Sequence, residues 1–191
     1  VSTVTTDRAA PVPYANDLTK NIGFDFKYGL TRGLVFDATV NTDFAQVEED
    51  TQQVNLTRFS LFFPEKRDFF LENQGIFTFG NNSSGGSQNS SSDVPLLFYS
   101  RRIGLSGGRE VPIWGGGRVT GRSGRYQFGL VDMQTKAQGA GSPAAVPSTN
   151  FSVVRVKRDI LRRSSVGLLA TSRSDSAAAP GTSNQAYGVD G

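Results

Sequence analysis

The segment Phe24-Asp25-Phe26-Lys27-Tyr28-Gly29-Leu30 sets the fold, because apolar and polar side chains alternate along it with a period of two. Thr31-Arg32-Gly33 follows, and the alternation resumes over residues 34–41. Two alternating runs joined by a short connection that contains glycine are typical of a β-hairpin. The sequence therefore predicts a sheet with one apolar and one polar face.

Two more hairpins with the same pattern lie in the second half of the chain, over residues 117–130 and 151–171. Long polar stretches separate the hairpins, at residues 81–93, 136–150 and 173–184. Short turns that alternate with long loops are typical of outer-membrane barrels. We therefore predict an all-β fold: a segment of an antiparallel up-and-down β-barrel that is part of a larger outer-membrane barrel.

The alternation fails in the middle of the chain. Leu56, Phe59 and Phe63 have the spacing of a short helix. Pro64 cannot occupy the centre of a strand, because it has no N–H to donate to a neighbouring strand. We predict a short inward-folded or helical element within residues 42–110.

Charged and aromatic residues are concentrated directly after Pro64. The run Glu65-Lys66-Arg67-Asp68 stands between the pairs Phe62-Phe63 and Phe69-Phe70. Because guanidinium groups bind carboxylates through two parallel hydrogen bonds, we predict an ion network in the lumen of the barrel. A solvated turn held by its aromatic residues is the alternative. The predicted network comprises Glu65, Arg67, Asp68, Glu72, Arg101 and Arg102.

Apolar side chains on a barrel wall face lipid, and the side chains between them face the lumen. The predicted lipid face comprises Phe24, Phe26, Tyr28, Phe36, Tyr126, Phe128, Leu130, Val154, Val156, Val166 and Leu168. Arg155 and Lys157 alternate with Val154 and Val156 and are predicted to face the lumen. In that position, Arg155→Gln would leave folding nearly unchanged. Trp114, the only Trp, suits either an interfacial aromatic belt or a core position.

The chain contains neither Cys nor His, which excludes disulfides, Cys/His zinc sites and a Ser-His-Asp triad. The acidic residues Asp43, Glu48, Glu49 and Asp50 offer oxygen ligands but lack the spacing of a calcium-binding loop. The glycines at 115–117 lack the ending of a phosphate-binding loop and instead favour close approach of strands. We predict that the chain is not an enzyme, and we predict no catalytic, cofactor-binding or metal-binding residue and no cofactor.

Charge and hydropathy argue against two further classes of protein. The net charge is +3, and the basic residues of the second half are spaced along strand-like segments instead of being clustered. We therefore predict that the chain does not bind nucleic acid. No stretch approaches 18 consecutive apolar residues, which excludes a transmembrane helix.

Four regions carry a resemblance to a known family: 41–73, which includes NTDFAQVEED and FFPEKRDFFLEN, 98–104 (FYSRRIG), 112–122 (PIWGGGRVTGR) and 162–167. They resemble a bacterial family of unknown function in which an outer-membrane β-barrel follows a domain similar to family-9 carbohydrate-binding modules. The resemblance implies that residues 1–20 are a linker from a missing N-terminal domain. It also implies that residues 21–191 are a partial β-barrel domain, truncated at its C-terminus.

Pattern and resemblance together predict a protein of the cell outer membrane whose role is structural or transport-related. Its expected partners are the lipid bilayer and, through the missing N-terminal domain, glycans. Two alternatives stay open: a soluble β-rich carbohydrate-binding module, and a barrel-borne hydrolase that uses carboxylates. A membrane wall exposes aromatic residues and encloses charges, whereas a soluble sandwich does the reverse.

Overall fold

The computed structural model describes residues 2–7, 14–20, 22–41, 64–80, 95–106, 109–139, 145–162, 164–174 and 181–191. In chain order the strands are β1 (Ser2–Asp7), β2 (Tyr14–Lys20), β3 (Phe24–Thr31), β4 (Leu34–Val40), β5 (Leu105–Ser106), β6 (Arg109–Glu110), β7 (Ile113–Ser123), β8 (Tyr126–Thr135), β9 (Asn150–Leu161), β10 (Ser164–Arg173) and β11 (Asn184–Asp190). The short helical elements are α1 (Asp68–Leu71) and the 3₁₀ turns Gln74–Phe77 and Ser100–Arg102.

Seven strands form one antiparallel sheet in the order β11-β10-β9-β8-β7-β4-β3. Each strand pairs with its neighbour in an up-and-down arrangement, which confirms the predicted all-β antiparallel fold. The turns that join β3 to β4, β7 to β8 and β9 to β10 are tight and lie at one end of the sheet, hereafter the turn end. The opposite end of the sheet, where β4, β8 and β10 end, is hereafter the loop end.

The other described strands form two small sheets. β1 pairs with β2, and β5 pairs with β6. Residues 1–20 therefore include a hairpin, and their assignment as a linker stays a prediction. Across the described residues, no helix combines the length and the apolar character needed to cross a bilayer.

The chain leaves the large sheet after β4, forms α1 and the two 3₁₀ turns, and returns as β7. Residues 64–80 and 95–106, which we call the covering segment, pack across one side of the sheet. We call that side the covered face and the opposite side the open face. This finding confirms the prediction of a short helical element within 42–110. The helical spacing around Leu56 lies outside the described residues.

The core lies between the covering segment and the covered face. Phe70, Phe77 and Ile103 of the covering segment are buried against strand residues. Those strand residues are Ile113, Val131, Met133, Val153 and Leu169. Burying an apolar side chain of this size contributes roughly 1.5–3 kcal/mol, so the covering segment is an integral part of the fold.

Candidate functional site: an open apolar face backed by buried ion pairs

The strand register places all eleven residues of the predicted lipid face on the open face of the sheet. Phe26 stands opposite Ala38, Phe128 opposite Val156, and Val156 opposite Leu168. Their apolar side chains reach solvent, with Phe24 64% and Leu168 46% exposed. The open face thus carries an apolar band that crosses the sheet, from β3 to Tyr187 and Val189 of β11.

Polar side chains border this band at the loop end of the open face. Asp132 accepts hydrogen bonds from Ser152 Oγ at 2.6 Å and from Asn150 Nδ2 at 3.1 Å. Ser172 and Gln185 continue the polar row on β10 and β11. On β8 to β11 the open face therefore changes from apolar to hydrogen-bonding character toward the loop end, whereas on β3 and β4 the apolar residues Phe24 and Val40 continue to that end.

Arginine and aromatic side chains border the band at the turn end. The guanidinium carbon of Arg158 lies 5.4 Å from the centre of the Tyr126 ring. On the covered side at the same end, Arg122 forms an exposed ion pair with Asp159 on the neighbouring hairpin. At the loop end, Trp114 is 60% exposed beside an irregularity in the β7–β8 register, which excludes a core position for it.

The covered face and the covering segment contain buried ion pairs. Arg67 donates from Nε to Glu65 Oε1 and from Nη2 to Glu65 Oε2, both at 2.8 Å. The same guanidinium donates to the backbone carbonyls of Ile103 and Ser100. Burial raises the pKa of Glu65, but the hydrogen bonds and charge of Arg67 and the bond from Ser100 outweigh it, so the net pKa is lowered.

Glu72 belongs to a second cluster, which the sequence did not predict. Arg118 Nη2 lies 2.6 Å from Asp37 Oδ2 and 3.2 Å from Glu72 Oε2. Lys27 completes the cluster through an ion pair with Glu72. The hydrogen bond from Lys27 is the main reason that the pKa of Glu72 is lowered. This cluster ties the covering segment to β3, β4 and β7.

A third pair, Arg155 with Asp190, joins β9 to β11 and was also missed. Arg155 Nη1 and Nη2 each lie 2.6 Å from one carboxylate oxygen of Asp190. The pair lies over Gly167, where a Cβ atom would stand 2.7 Å from Asp190 Oδ1 and 2.8 Å from Arg155 Nη1. Period-two alternation already placed Arg155 on the polar face. Gly167, on the strand β10 that lies between β9 and β11, was the remaining signal in the sequence for this pair.

The structure thus divides the predicted single network. Glu65 and Arg67 meet, and buried Arg101 donates from Nη1 to the carbonyl of Pro64 at 2.8 Å. Glu72 joins Arg118 instead, and Asp68 and Arg102 are exposed. The carboxylates of Glu65, Asp37 and Asp190 are held by arginines, an arrangement suited to cross-bracing and not to proton transfer.

An open cleft of about 180 Å³ lies at the loop end of the covered face, between residues 97–103 and strands β9 to β11. Within the described ranges, no three acidic residues cluster closely enough to hold a metal ion. The acidic residues Asp43, Glu48, Glu49 and Asp50 lie outside those ranges.

A family model described as a domain of unknown function, DUF5916, matches residues 2–112. The chain belongs to this family. The matched range includes the motifs at 41–73 and 98–104, which confirms the resemblance to a family of unknown function. No curated protein and no solved structure matches the chain.

Proposed function

We propose that this chain forms part of the wall of a β-barrel in the bacterial outer membrane, with the open face toward lipid and the covered face toward the lumen. The observation that carries the proposal is the exposed apolar band, which crosses seven hydrogen-bonded strands. Soluble proteins rarely expose a continuous apolar surface of this extent.

Strand length supports the same proposal. β7, β8, β9 and β10 contain 11, 10, 12 and 10 residues. A tilted strand crosses a bilayer with roughly 9–11 residues, so these four strands have a suitable length. The polar row at the loop end and the arginine–tyrosine contact at the turn end then fall where the headgroups of the two leaflets would lie.

The distribution of charge also favours a membrane wall. Arg118 and Arg155 are buried on the covered face and paired with carboxylates. The opposite distribution, with charges outside and aromatic residues inside, is what a soluble carbohydrate-binding sandwich requires. In the proposed barrel the covering segment would lie inside the lumen, as plugs and constriction elements do.

The role proposed for this barrel is structural or transport-related. The link to glycan handling rests on the resemblance of the sequence motifs alone and stays a prediction. The carboxylate-based hydrolase receives no support from Glu65, Asp37 and Asp190, because each is engaged by an arginine.

Quenching by brominated lipid tests the proposal. Single Trp residues are placed at Phe26, Leu130 and Leu168 of the open face in a Trp114→Phe background, and the chain is refolded into vesicles. A Trp at Lys157 on the covered face is the matched control. We expect strong quenching at the three open-face positions and weak quenching at 157. Absence of quenching at all four positions would refute the membrane wall and leave the soluble module.

A further inference from the structure

The cleft at the loop end of the covered face has a mixed lining that no part of the proposed wall requires. Apolar side chains from both sides contribute to it, including Phe98 and Ile103 of the covering segment and Phe151 and Val153 of β9. Two arginines, Arg102 and Arg173, line the same cleft. The cleft therefore combines an apolar surface with two positive charges.

These two arginines differ from the others on the covered side. Arg67, Arg118 and Arg155 each hold a carboxylate of this chain. None of the residues that line the cleft is acidic. Arg102 and Arg173 therefore line the cleft without an acidic residue in the lining beside them.

Arg173 provides a second, independent observation. Its Nε atom is buried and has no hydrogen-bond partner among the described residues. Its guanidinium carbon lies 5.2 Å from the centre of the Phe151 ring, so the ring holds the group in place. Arg155 Nε is buried without a partner in the same way, while its two Nη atoms bind a carboxylate, so the Nη atoms of Arg173 are the donors that would meet an anion in the cleft.

We propose that this cleft binds a small organic acid, whose carboxylate meets Arg173 and Arg102 and whose apolar body rests against Phe98 and Phe151. A planar carboxylate matches the guanidinium fork. The apolar lining favours a carboxylate with a hydrophobic body over inorganic phosphate, which has no apolar surface to bury against Phe98 and Phe151. This inference does not depend on the proposed membrane wall, because the cleft lies on the opposite face of the sheet.

Equilibrium dialysis with radiolabelled benzoate tests the proposal on the whole chain, with protein-free micelles as the blank. We expect saturable binding that Arg102→Gln weakens at least about tenfold, since one charge-assisted hydrogen bond is lost. Arg102 is exposed, so this variant should fold normally. Arg125→Gln, an exposed arginine in a turn at the other end of the sheet, is the matched control and should bind like the natural chain. Arg173→Gln, where circular dichroism shows it folded, should abolish binding.

Competition identifies the chemistry of the ligand. Unlabelled benzoate should displace the label, whereas benzamide, its neutral counterpart, should not. Displacement by inorganic phosphate at the same concentration as benzoate would overturn the preference for an organic acid. Absence of saturable binding, or equal binding by Arg102→Gln and the natural chain, would overturn the site itself.

Discussion

The ring of Phe77 lies so close to the backbone of Gly129 that a Cβ atom there would stand 2.8 Å from two ring carbons. Phe77 belongs to the covering segment and Gly129 to the middle of β8. The glycine therefore provides the space in which the covering segment contacts the sheet.

Gly129→Ala should destabilise the fold by roughly 1–3 kcal/mol, because the added methyl group forces the ring of Phe77 out of its packed position. Gly29→Ala is the matched control: Gly29 also lies in a strand on the covered face, and a Cβ atom there meets nothing within 4 Å. Urea unfolding monitored by circular dichroism measures both. Equal stability of the two variants would contradict this account of Gly129.

Leu168→Arg should lower the free energy of unfolding in vesicles by roughly 2–4 kcal/mol, which is the cost of an arginine on the lipid face near mid-membrane. Ser172→Arg lies on the same strand and face but in the polar row at the loop end, where the cost falls to roughly 0–1 kcal/mol. Refolding titrations followed by heat-modifiable gel migration compare the two. Similar losses for both variants would argue against a depth-dependent lipid contact.

Arg155→Gln should destabilise the chain by roughly 3–5 kcal/mol, since it removes the charged partner of the Asp190 carboxylate and leaves it with the hydrogen bond from the Gly80 N–H. Alternation alone predicted that this change would be nearly silent, which the buried contact to Asp190 argues against. Arg122→Gln removes an exposed ion pair and should cost at most about 1 kcal/mol. Urea unfolding of the two variants side by side provides the measurement. An Arg155→Gln variant as stable as the natural chain would contradict this prediction and support the one from alternation.

The Glu65–Arg67 pair should make stability sensitive to acid. Folding lowers the pKa of Glu65 below its ordinary value of 4.5. The pair therefore contributes stability above that pH, and the contribution is lost as the pH falls through the lowered pKa. Glu65→Gln should be less stable than the natural chain at pH 7, and the difference should narrow below about pH 4.5.

Asp68→Asn serves as the control for this measurement, because Asp68 is exposed and lies outside the buried Glu65–Arg67 pair. Unfolding free energies between about pH 3 and pH 7 follow the effect. A difference between natural chain and Glu65→Gln that stays constant across this range would show that the carboxylate charge is not responsible.

The two ends of the sheet should lie on opposite sides of the membrane. Arg125→Cys at the turn end and Ala137→Cys at the loop end are exposed positions, and the chain has no native Cys to interfere. We expect a membrane-impermeant thiol reagent applied to intact cells to label the loop-end position only, because long loops of such barrels face outward. Labelling of both positions would contradict the proposed wall.

The sheet was predictable because one repeating relation determines it. Side chains alternate between faces, so Phe26, Phe128 and Leu168 fell on one face without knowledge of which strands pair. The covering segment was harder, because Pro64 and the irregular spacing show where the alternation stops but not what the chain packs against.

The ion pairs show the same limit more sharply. Glu65 and Arg67 are two residues apart, and their pairing could be predicted from the sequence. Arg155 and Asp190 lie on β9 and β11, and Asp37 and Arg118 on β4 and β7. Whether these residues meet depends on strand order and register. The alternation of side chains is interrupted in the middle of the chain, so the sequence determines neither. Local charge pairs are therefore readable from one sequence, and those between distant strands are not.

The excursion of the chain between β4 and β7 has a consequence for the order of folding. Val40 pairs with Gly115, so the two strands that become neighbours are separated in sequence by the whole covering segment. Bringing distant residues together costs closure entropy that grows with the length of the intervening chain, and the connections within β7 to β10 are much shorter than the stretch between β4 and β7. We therefore expect the β7–β10 meander to form early and the β3–β4 hairpin to dock late. Arg118 would then already lie on β7 when β4 pairs with that strand and brings Asp37 to it.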